Sequence, residues 1–217
     1  MIFTFWEGKK PAYIELCMET WIFPFTVLNY QNVNQYTDLP TEKIKRFTLP
    51  QIADCVRVHV LRDQGGVWLD ADTITITGQL PKQIILGNNE ARTNTIGFLR
   101  ADKEMFSQWA AFQDEIINGN ETPTHWATFG NAFTDKYLKE HDIEIGDISE
   151  HWPEIGPGDR WQRYIDFYFN SSYGLKDIKT DMLMLHNSWT PDWFKNLSRN
   201  EVLLHGCTLS NILRDLL

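Results

Sequence analysis

The sequence is poor in basic residues. Its 20 Lys and Arg face 29 Asp and Glu, a net charge of −9, and nowhere do the basic residues gather into a block. Contact with the phosphate backbone of nucleic acid calls for a basic face, so no nucleic-acid partner is expected. Cysteine is scarce too. Cys17, Cys55 and Cys207 are far apart, odd in number and without a C-x-x-C pair. That argues against a disulfide framework and for buried free thiols in a reducing compartment. Long apolar runs are missing, none approaching the roughly 18 residues that span a bilayer. The opening MIFTFWEGKK enters a strand-like run without a signal-peptide pattern. A cytoplasmic chain is expected, resting at most on the inner face of the cell membrane. Repeats and low-complexity segments are absent as well. The 217 residues, 42% hydrophobic and 23% charged, are therefore expected to form one domain over residues 1–217 with a real core.

Tryptophan, by contrast, is abundant, at nine residues. Aromatic rings stack on the C–H faces of sugars, so a carbohydrate site would use them. Any single Trp is more often a core residue, because it buries so much area. Along the chain, Ile2 to Trp6 reads as a buried strand. A helix opened by Pro11 follows, with Ile14, Cys17, Met18 and Trp21 on one face, and then a strand from Phe25 to Tyr30. Strand, helix, strand within thirty residues points to a βαβ unit and an α/β fold with a mainly parallel sheet. Residues 31–47 read as a loop. Thr48-Leu49-Pro50-Gln51 resembles a capping box for a helix from Gln51 to Arg62, ended by Gly65-Gly66. Val67 to Ile76 then reads as one strand, interrupted by two aspartates. Further strands are expected at Ile84–Leu86, Thr95–Leu99 and Met182–Leu185. Helices are expected at Lys103–Ile117, at Phe129–Leu138 and over the last ten residues, while 150–173 gives no clear pattern.

The segment that carries chemistry is Ala53-Asp54-Cys55-Val56-Arg57, then Gly65-Gly66-Val67-Trp68-Leu69-Asp70-Ala71-Asp72. An apolar strand ending in two carboxylates has little structural reason to do so, since a buried ionised carboxylate is costly unless paired or metal-bound. In a parallel α/β sheet the C-terminal strand ends open onto the ligand crevice. Two acids there make a hard oxygen site for Mn²⁺ or Mg²⁺. Asp54 and Arg57 lie one helical turn apart and share a face. A surface ion pair, worth only a few tenths of a kcal/mol, is the plain alternative; the apolar neighbours Cys55, Val56 and Val58 favour burial instead. D-x-D alone is a weak pattern, and its setting after an apolar strand and a Gly-Gly helix stop is what makes it specific.

A-D-x-x-R followed by L-x-x-x-G-G-V-W-L-D-A-D resembles the glycosyltransferases with a DXD sugar-binding region. That group takes in bacterial capsular-polysaccharide and lipopolysaccharide transferases, a yeast mannosyltransferase type and the large clostridial glucosylating toxins. The match is close over residues 51–76 and looser elsewhere, including Phe5-Trp6-Glu7-Gly8, which is similar to the family's first strand. The resemblance implies a GT-A fold, a UDP- or GDP-sugar donor, Mn²⁺ or Mg²⁺, retention at the anomeric carbon, and a saccharide or lipid-linked saccharide acceptor. It places Asp72 on the metal and Asp70 on the ribose or, through water, on the metal. Asp54 falls on donor-sugar hydroxyls and Arg57 against sugar or diphosphate, while Phe5 and Trp6 border the nucleoside. A divalent cation would reconcile an acidic protein with an anionic donor and stabilise charge on the leaving phosphate. The family's G-P-x-x-x-T helix corresponds loosely to Gly130-Asn131-Ala132-Phe133-Thr134, with Asn in place of Pro. Its late H-x-x-x-S-W element resembles His186-Asn187-Ser188-Trp189, shortened, so His186 is a candidate metal ligand and Ser188 and Trp189 candidates for the phosphate. Imidazole suits Mn²⁺ better than Mg²⁺. A lone His is as often structural, and His205 is the rival ligand.

His125, His141 and His151 stand in polar stretches and read as solvated; Glu154 and Asp159 flank a Gly-Pro-Gly segment. Two other functions compete. Trp68-Leu69-Asp70-Ala71-Asp72 resembles the first motif of HAD-type phosphatases, but Ile74 stands where that motif has Thr or Val, and no later acidic pair follows. A non-catalytic nucleotide-sugar-binding module would keep the fold without turnover. The amphipathic tail from Leu203 to Leu217 either packs on the core, which is favoured, or touches a membrane.

Overall fold

The computed structural model describes residues 1–88, 93–148 and 160–217. Their contacts gather into two units. One comprises Met1–Gly8, Pro24–Asp70 and Pro81–Ile148; the other comprises Lys9–Phe23, Ala71–Leu80 and Ser149–Leu217.

The first unit holds a six-stranded sheet. Strand β1 (Ile2–Phe5) pairs in parallel with β2 (Phe25–Leu28) and with β3 (Val67–Leu69). Strand β6 (Thr93–Arg100) runs antiparallel to β3 and to β5 (Ile85–Asn88), and β5 pairs in parallel with β7 (Ile145–Asp147). The order is β2-β1-β3-β6-β5-β7. This is the expected α/β architecture with a mainly parallel central sheet, consistent with the Rossmann-like GT-A class. All four residues of β1 are buried, as a central strand covered on both faces requires.

Residues 31–47, read from sequence as loop, contain a 3-10 turn at Val33–Gln35 and the one-turn helix α2 (Thr41–Ile44). The long helix α3 (Leu49–Gln64) begins two residues earlier than expected. Its start is fixed by Gln51, whose Oε1 accepts from the Thr48 backbone N–H and hydroxyl, both at 3.0 Å. The expected apolar stripe Ile52, Val56, Val60 understates its burial. Cys55, Val58 and Leu61 are buried as well, and so are Asp54, Arg57 and His59. The helix packs against β1, β3 and α4 (Lys103–Asn118), leaving little of its surface for water. It stops at Gly65 and Gly66, both with positive φ (+67° and +86°). Gly66 also lies under Met1, whose carbonyl accepts from Val67 N–H at 3.1 Å; a Cβ at Gly66 would sit 2.5 Å from that oxygen.

The expected single strand from Val67 to Ile76 is wrong. The ladder of β3 ends with Asp70 N–H donating to Gly97 O at 2.8 Å, and the chain then turns. Residues Thr73–Thr75 form β4, which pairs antiparallel with β8 (Met182–Met184) in a separate two-stranded sheet. Period-2 apolar patterning on both sides of the aspartates hid the break, because a strand on either side of a tight turn looks the same in sequence.

The second unit collects β4, β8, α1 (Ala12–Glu19), α6 (Arg160–Tyr168), α7 (Asp192–Lys195), α8 (Arg199–Leu204) and α9 (Thr208–Leu216). Trp21 Nε1 donates to Thr73 O at 2.7 Å and Thr75 N–H to Thr20 Oγ1 at 2.9 Å, tying the end of α1 to β4. Helix α6 fills part of the segment left without a pattern by the sequence. On α9, Leu209, Ile212 and Leu213 are buried, which is the core-packing alternative for the tail. Among the described residues no helix is long and apolar enough to cross a membrane.

The two glycines that end α3 separate strain from space. Gly65→Ala is expected to lower stability by about 1–2 kcal/mol through its positive φ alone. Gly66→Ala is expected to cost more, because the same strain is joined by a clash with backbone that cannot swing aside. Urea denaturation of the two variants measures the difference.

Candidate active site

The buried stretch of α3 carries Asp54 and Arg57 on one face, and the end of β3 carries Asp70. Arg57 joins them. Its Nη2 lies 3.1 Å from Asp54 Oδ1 and 3.2 Å from Asp70 Oδ1. Its Nη1 donates to the Ile96 carbonyl and its Nε to Ala53 O at 3.5 Å. The guanidinium carbon stands 5.1 Å from the Trp68 ring, a cation–π contact. The alternative of a surface ion pair is thereby excluded: the side chains of Arg57 and Asp54 are 6% and 8% exposed. One cation serves two carboxylates. Burial pushes the Asp54 carboxyl up to about 7, and the neighbouring Asp70 charge adds to that rise while Arg57 opposes it. Asp70 is more open, with 38% of its side chain exposed. Its Oδ1 takes Arg57 and also accepts from Trp68 Nε1 at 2.8 Å, so both contacts fall on that one oxygen.

Two further residues hold this cluster in place, and the first of them was passed over in reading the sequence. Gln113 on α4 is fully buried, and its Nε2 donates to the backbone carbonyls of Asp54 (3.1 Å) and Phe129 (2.7 Å). Gly130, just before α5 (Asn131–Glu140), has a negative φ, so conformational freedom does not explain it. Space does: a Cβ there would lie 3.0 Å from Asp54 Oδ2 and 2.4 Å from Ile96 Cδ1. Helix α5 begins two residues later than the expected Phe129 and runs on to Glu140, with Thr134 Oγ1 donating to Asn94 Oδ1 at 2.8 Å. A buried Gln inside an otherwise apolar helical stripe was the signal available for the first; the second was marked only as the opening of the G-P-x-x-x-T correspondence, with no sign of its contact with Asp54.

Asp72 opens the second unit and is itself buried. Its Oδ2 accepts from the backbone N–H of Asn187 at 2.7 Å, and its carbonyl accepts from Leu185 N–H at 3.3 Å. The segment beyond β8 thus wraps this aspartate. His186 lies in that segment with its ring 4.1 Å from Trp189 and 5.8 Å from Tyr164, centroid to centroid. Ser188 is exposed and Trp189 half-buried. His205, the rival ligand, is exposed and tilts against Trp193 at 4.8 Å. Among the described residues, no three His, Cys, Asp or Glu side chains stand together as a cage for a metal ion.

Of the two residues expected to border a nucleoside, Phe5 is buried at the end of β1. Trp6 follows half-buried, and its indole N–H is buried without a hydrogen-bond partner among the described residues. An unmet buried donor is costly, so this indole is a group in want of an acceptor. His59 is silent in a different way. It is buried on α3 with Nε2 3.7 Å from Asp114 Oδ1, and burial lowers it to about 4, so it is neutral and structural at pH 7. His125 is exposed, with its ring stacked on Trp126 at 5.9 Å; His141 stacks on Tyr137 at 3.9 Å. His151, Glu154 and Asp159 lie outside the described residues. The tryptophans divide more evenly than their usual role suggests. Trp21, Trp68 and Trp109 are buried, whereas Trp126, Trp161 and Trp193 are exposed.

An α/β sheet whose third strand ends in an aspartate beside a buried Arg–carboxylate cluster is consistent with a Rossmann-like domain. Residues 2–146 match the family described as capsular polysaccharide synthesis protein. The chain belongs to that family, which ties it to the making of surface polysaccharide. The matched stretch contains Asp54, Arg57, Asp70 and Asp72 and ends before His186, Ser188 and Trp189. No curated protein matches the chain.

Two of the shifted groups on α3, Asp54 and His59, act in opposite senses on stability. Asp54 titrates near 7 when folded and near 3.8 when unfolded, so its protonation stabilises fully below 3.8, and that contribution is lost as pH rises through about 7. His59 titrates near 4 when folded against 6.5, so its contribution is present above 6.5 and lost as pH falls through about 4. Between those limits the two offset each other. Asp54→Asn is expected to steepen the loss of stability on acidification from pH 7 to 4, and His59→Leu to flatten it, in urea titrations at stepped pH.

Proposed function

We propose that the chain is a metal-dependent glycosyltransferase that moves a hexose from a UDP- or GDP-sugar to a saccharide or lipid-linked saccharide acceptor. The observation that carries the reading is the buried Asp54–Arg57 pair reaching Asp70 at the C-terminal end of a parallel strand. Such a cluster gains little stability. Replacing a buried ion pair by apolar residues is often neutral or better, while breaking it costs about 3–5 kcal/mol. A chain that keeps three charges there keeps them for a ligand rich in hydroxyls and phosphates.

In this reading Asp54 accepts hydrogen bonds from donor-sugar hydroxyls, and Arg57 holds Asp54 and faces the sugar or diphosphate. Asp70 takes the ribose through the oxygen that neither Arg57 nor Trp68 uses. Phe5 and Trp6 border the nucleoside, with the unmet Trp6 N–H available to a base carbonyl. Asp72 is the direct ligand of Mn²⁺ or Mg²⁺. The donor set suits such an ion. A single intervening residue keeps the Cα atoms of Asp70 and Asp72 within about 7 Å, and magnesium-type sites commonly use one or two carboxylates, completing the shell with water and substrate phosphate. That need not involve a third protein ligand, so His186 is an addition to the site rather than a requirement. When bound, the cation would neutralise the diphosphate and stabilise charge on the leaving group. Ser188 and Trp189 would meet the phosphates.

UDP or GDP together with Mn²⁺ is expected to raise the melting temperature, and the same nucleotide with EDTA is not. At a hundred times its dissociation constant the ligand adds about 2.7 kcal/mol. A flat response to every nucleotide would sink the transferase. Asp72→Asn is expected to abolish slow hydrolysis of the donor while keeping the wild-type far-UV circular dichroism. Hydrolysis also separates an enzyme from a binding module, which would take up the donor and leave it intact.

A further inference from the structure

Resting on Asp72 as the cation ligand, a second group in the same unit acquires a role. Tyr13, on α1, is fully buried. Its hydroxyl donates to Asn187 Oδ1 at 2.6 Å, across 174 residues of chain. Asn187 in turn gives its backbone N–H to Asp72 Oδ2 at 2.7 Å. One residue therefore faces both ways, its side chain toward the tyrosine and its backbone toward the aspartate. The turn that presents it is itself braced. Trp189 and Thr190 N–H both donate to His186 O, at 2.9 and 3.0 Å, and Thr190 Oγ1 lies 3.0 Å from Tyr164 OH.

We infer that Tyr13 is a positioning residue that acts through Asn187 to set the orientation of the Asp72 carboxylate toward its cation. A carboxylate holding a metal has two oxygens to direct, and a hydrogen bond to one of them decides where the other points. Here Asp72 Oδ2 takes the amide. If Asn187 rocks, that bond lengthens and its hold on the carboxylate's terminal torsion, which is soft, weakens. The phenol resists that movement. A donor fully out of water keeps its acceptor, because leaving it would strand a buried hydroxyl. The burial of Tyr13 and the nearby Asp72 charge both raise its pKa well above the ordinary phenol value. The hydroxyl therefore remains a donor at every pH the protein meets. A core tyrosine that simply satisfied its own hydroxyl would give the same contacts, and metal affinity tells the two apart.

The test is Mn²⁺ affinity, read by electron paramagnetic resonance of the free ion in the presence of UDP or GDP. It compares the wild type with Tyr13→Phe, Asn187→Ala and the double variant. Each single change is expected to weaken Mn²⁺ binding about tenfold, and the double to lose no more than either alone, as coupled residues do. Tyr168→Phe is the control. That phenol is also fully buried, but its hydroxyl has no partner among the described residues, and its loss should leave affinity unchanged. Amide hydrogen exchange at Asn187, which needs no metal, is expected to quicken in Tyr13→Phe. Wild-type affinity in Tyr13→Phe, or additive losses in the double variant, would overturn the relay and leave Asp72 on the cation. A wild type that binds no Mn²⁺ would overturn the cation reading and this inference with it.

Discussion

A guanidinium with almost no access to water is the constraint around which the first unit is built. Arg57 cannot shed its charge, and inside a core each of its donors has to find an acceptor. The acceptors come from four places: Asp54 one turn back on α3, Asp70 at the end of β3, Ile96 on β6 and the Ala53 carbonyl. Bringing a helix and two strands to one side chain sets where β3 ends. It also sets how near α5 begins, since only a residue without a Cβ fits at Gly130 beside Asp54. Gln113 completes the arrangement by tying the backbone at Asp54 to the backbone at Phe129. Polar groups thus occupy the middle of the core, and Asp54, Arg57 and Gln113 are held there with almost no access to water, while Asp70 alone opens toward it.

The excess of carboxylate over guanidinium has a chemical consequence. Burial, joined by the charge of a second acid that shares the one cation, leaves Asp54 close to its own titration point at neutral pH. A ligand offering hydroxyl donors would favour the ionised form, and one offering acceptors the protonated form. Asp72 is treated differently: a backbone amide and the turn from His186 to Thr190 surround it, an arrangement suited to holding a carboxylate in one orientation.

Much of the frame was legible in the residues. The buried first strand, the helix stop at Gly65-Gly66 and the carboxylates at the close of an apolar strand all rest on local rules, namely period, capping and the cost of a buried charge. What failed did so where local rules are silent. The run from Val67 to Ile76 has one pattern but two destinations, and the partner of its second half, Met182–Met184, lies more than a hundred residues away. Gly130 and Gln113 matter through distant neighbours, and no spacing announces a neighbour that chain topology supplies. The exposed rings of Trp126, Trp161 and Trp193 likewise could not be told from core tryptophans by composition.

By itself, then, the sequence determined the fold class and singled out Asp54, Arg57, Asp70 and Asp72 as the charged groups of an otherwise apolar stretch, because each follows from interactions within a turn or a strand. Only the tertiary structure decided that Arg57 is shared, that Asp54 is pushed toward neutrality, and that Tyr13 and Asn187 stand behind Asp72. Those facts depend on dielectric surroundings and on hydrogen bonds between residues as far as 174 positions apart. Burial and long-range contact are properties of the folded packing, and no window along the chain contains them.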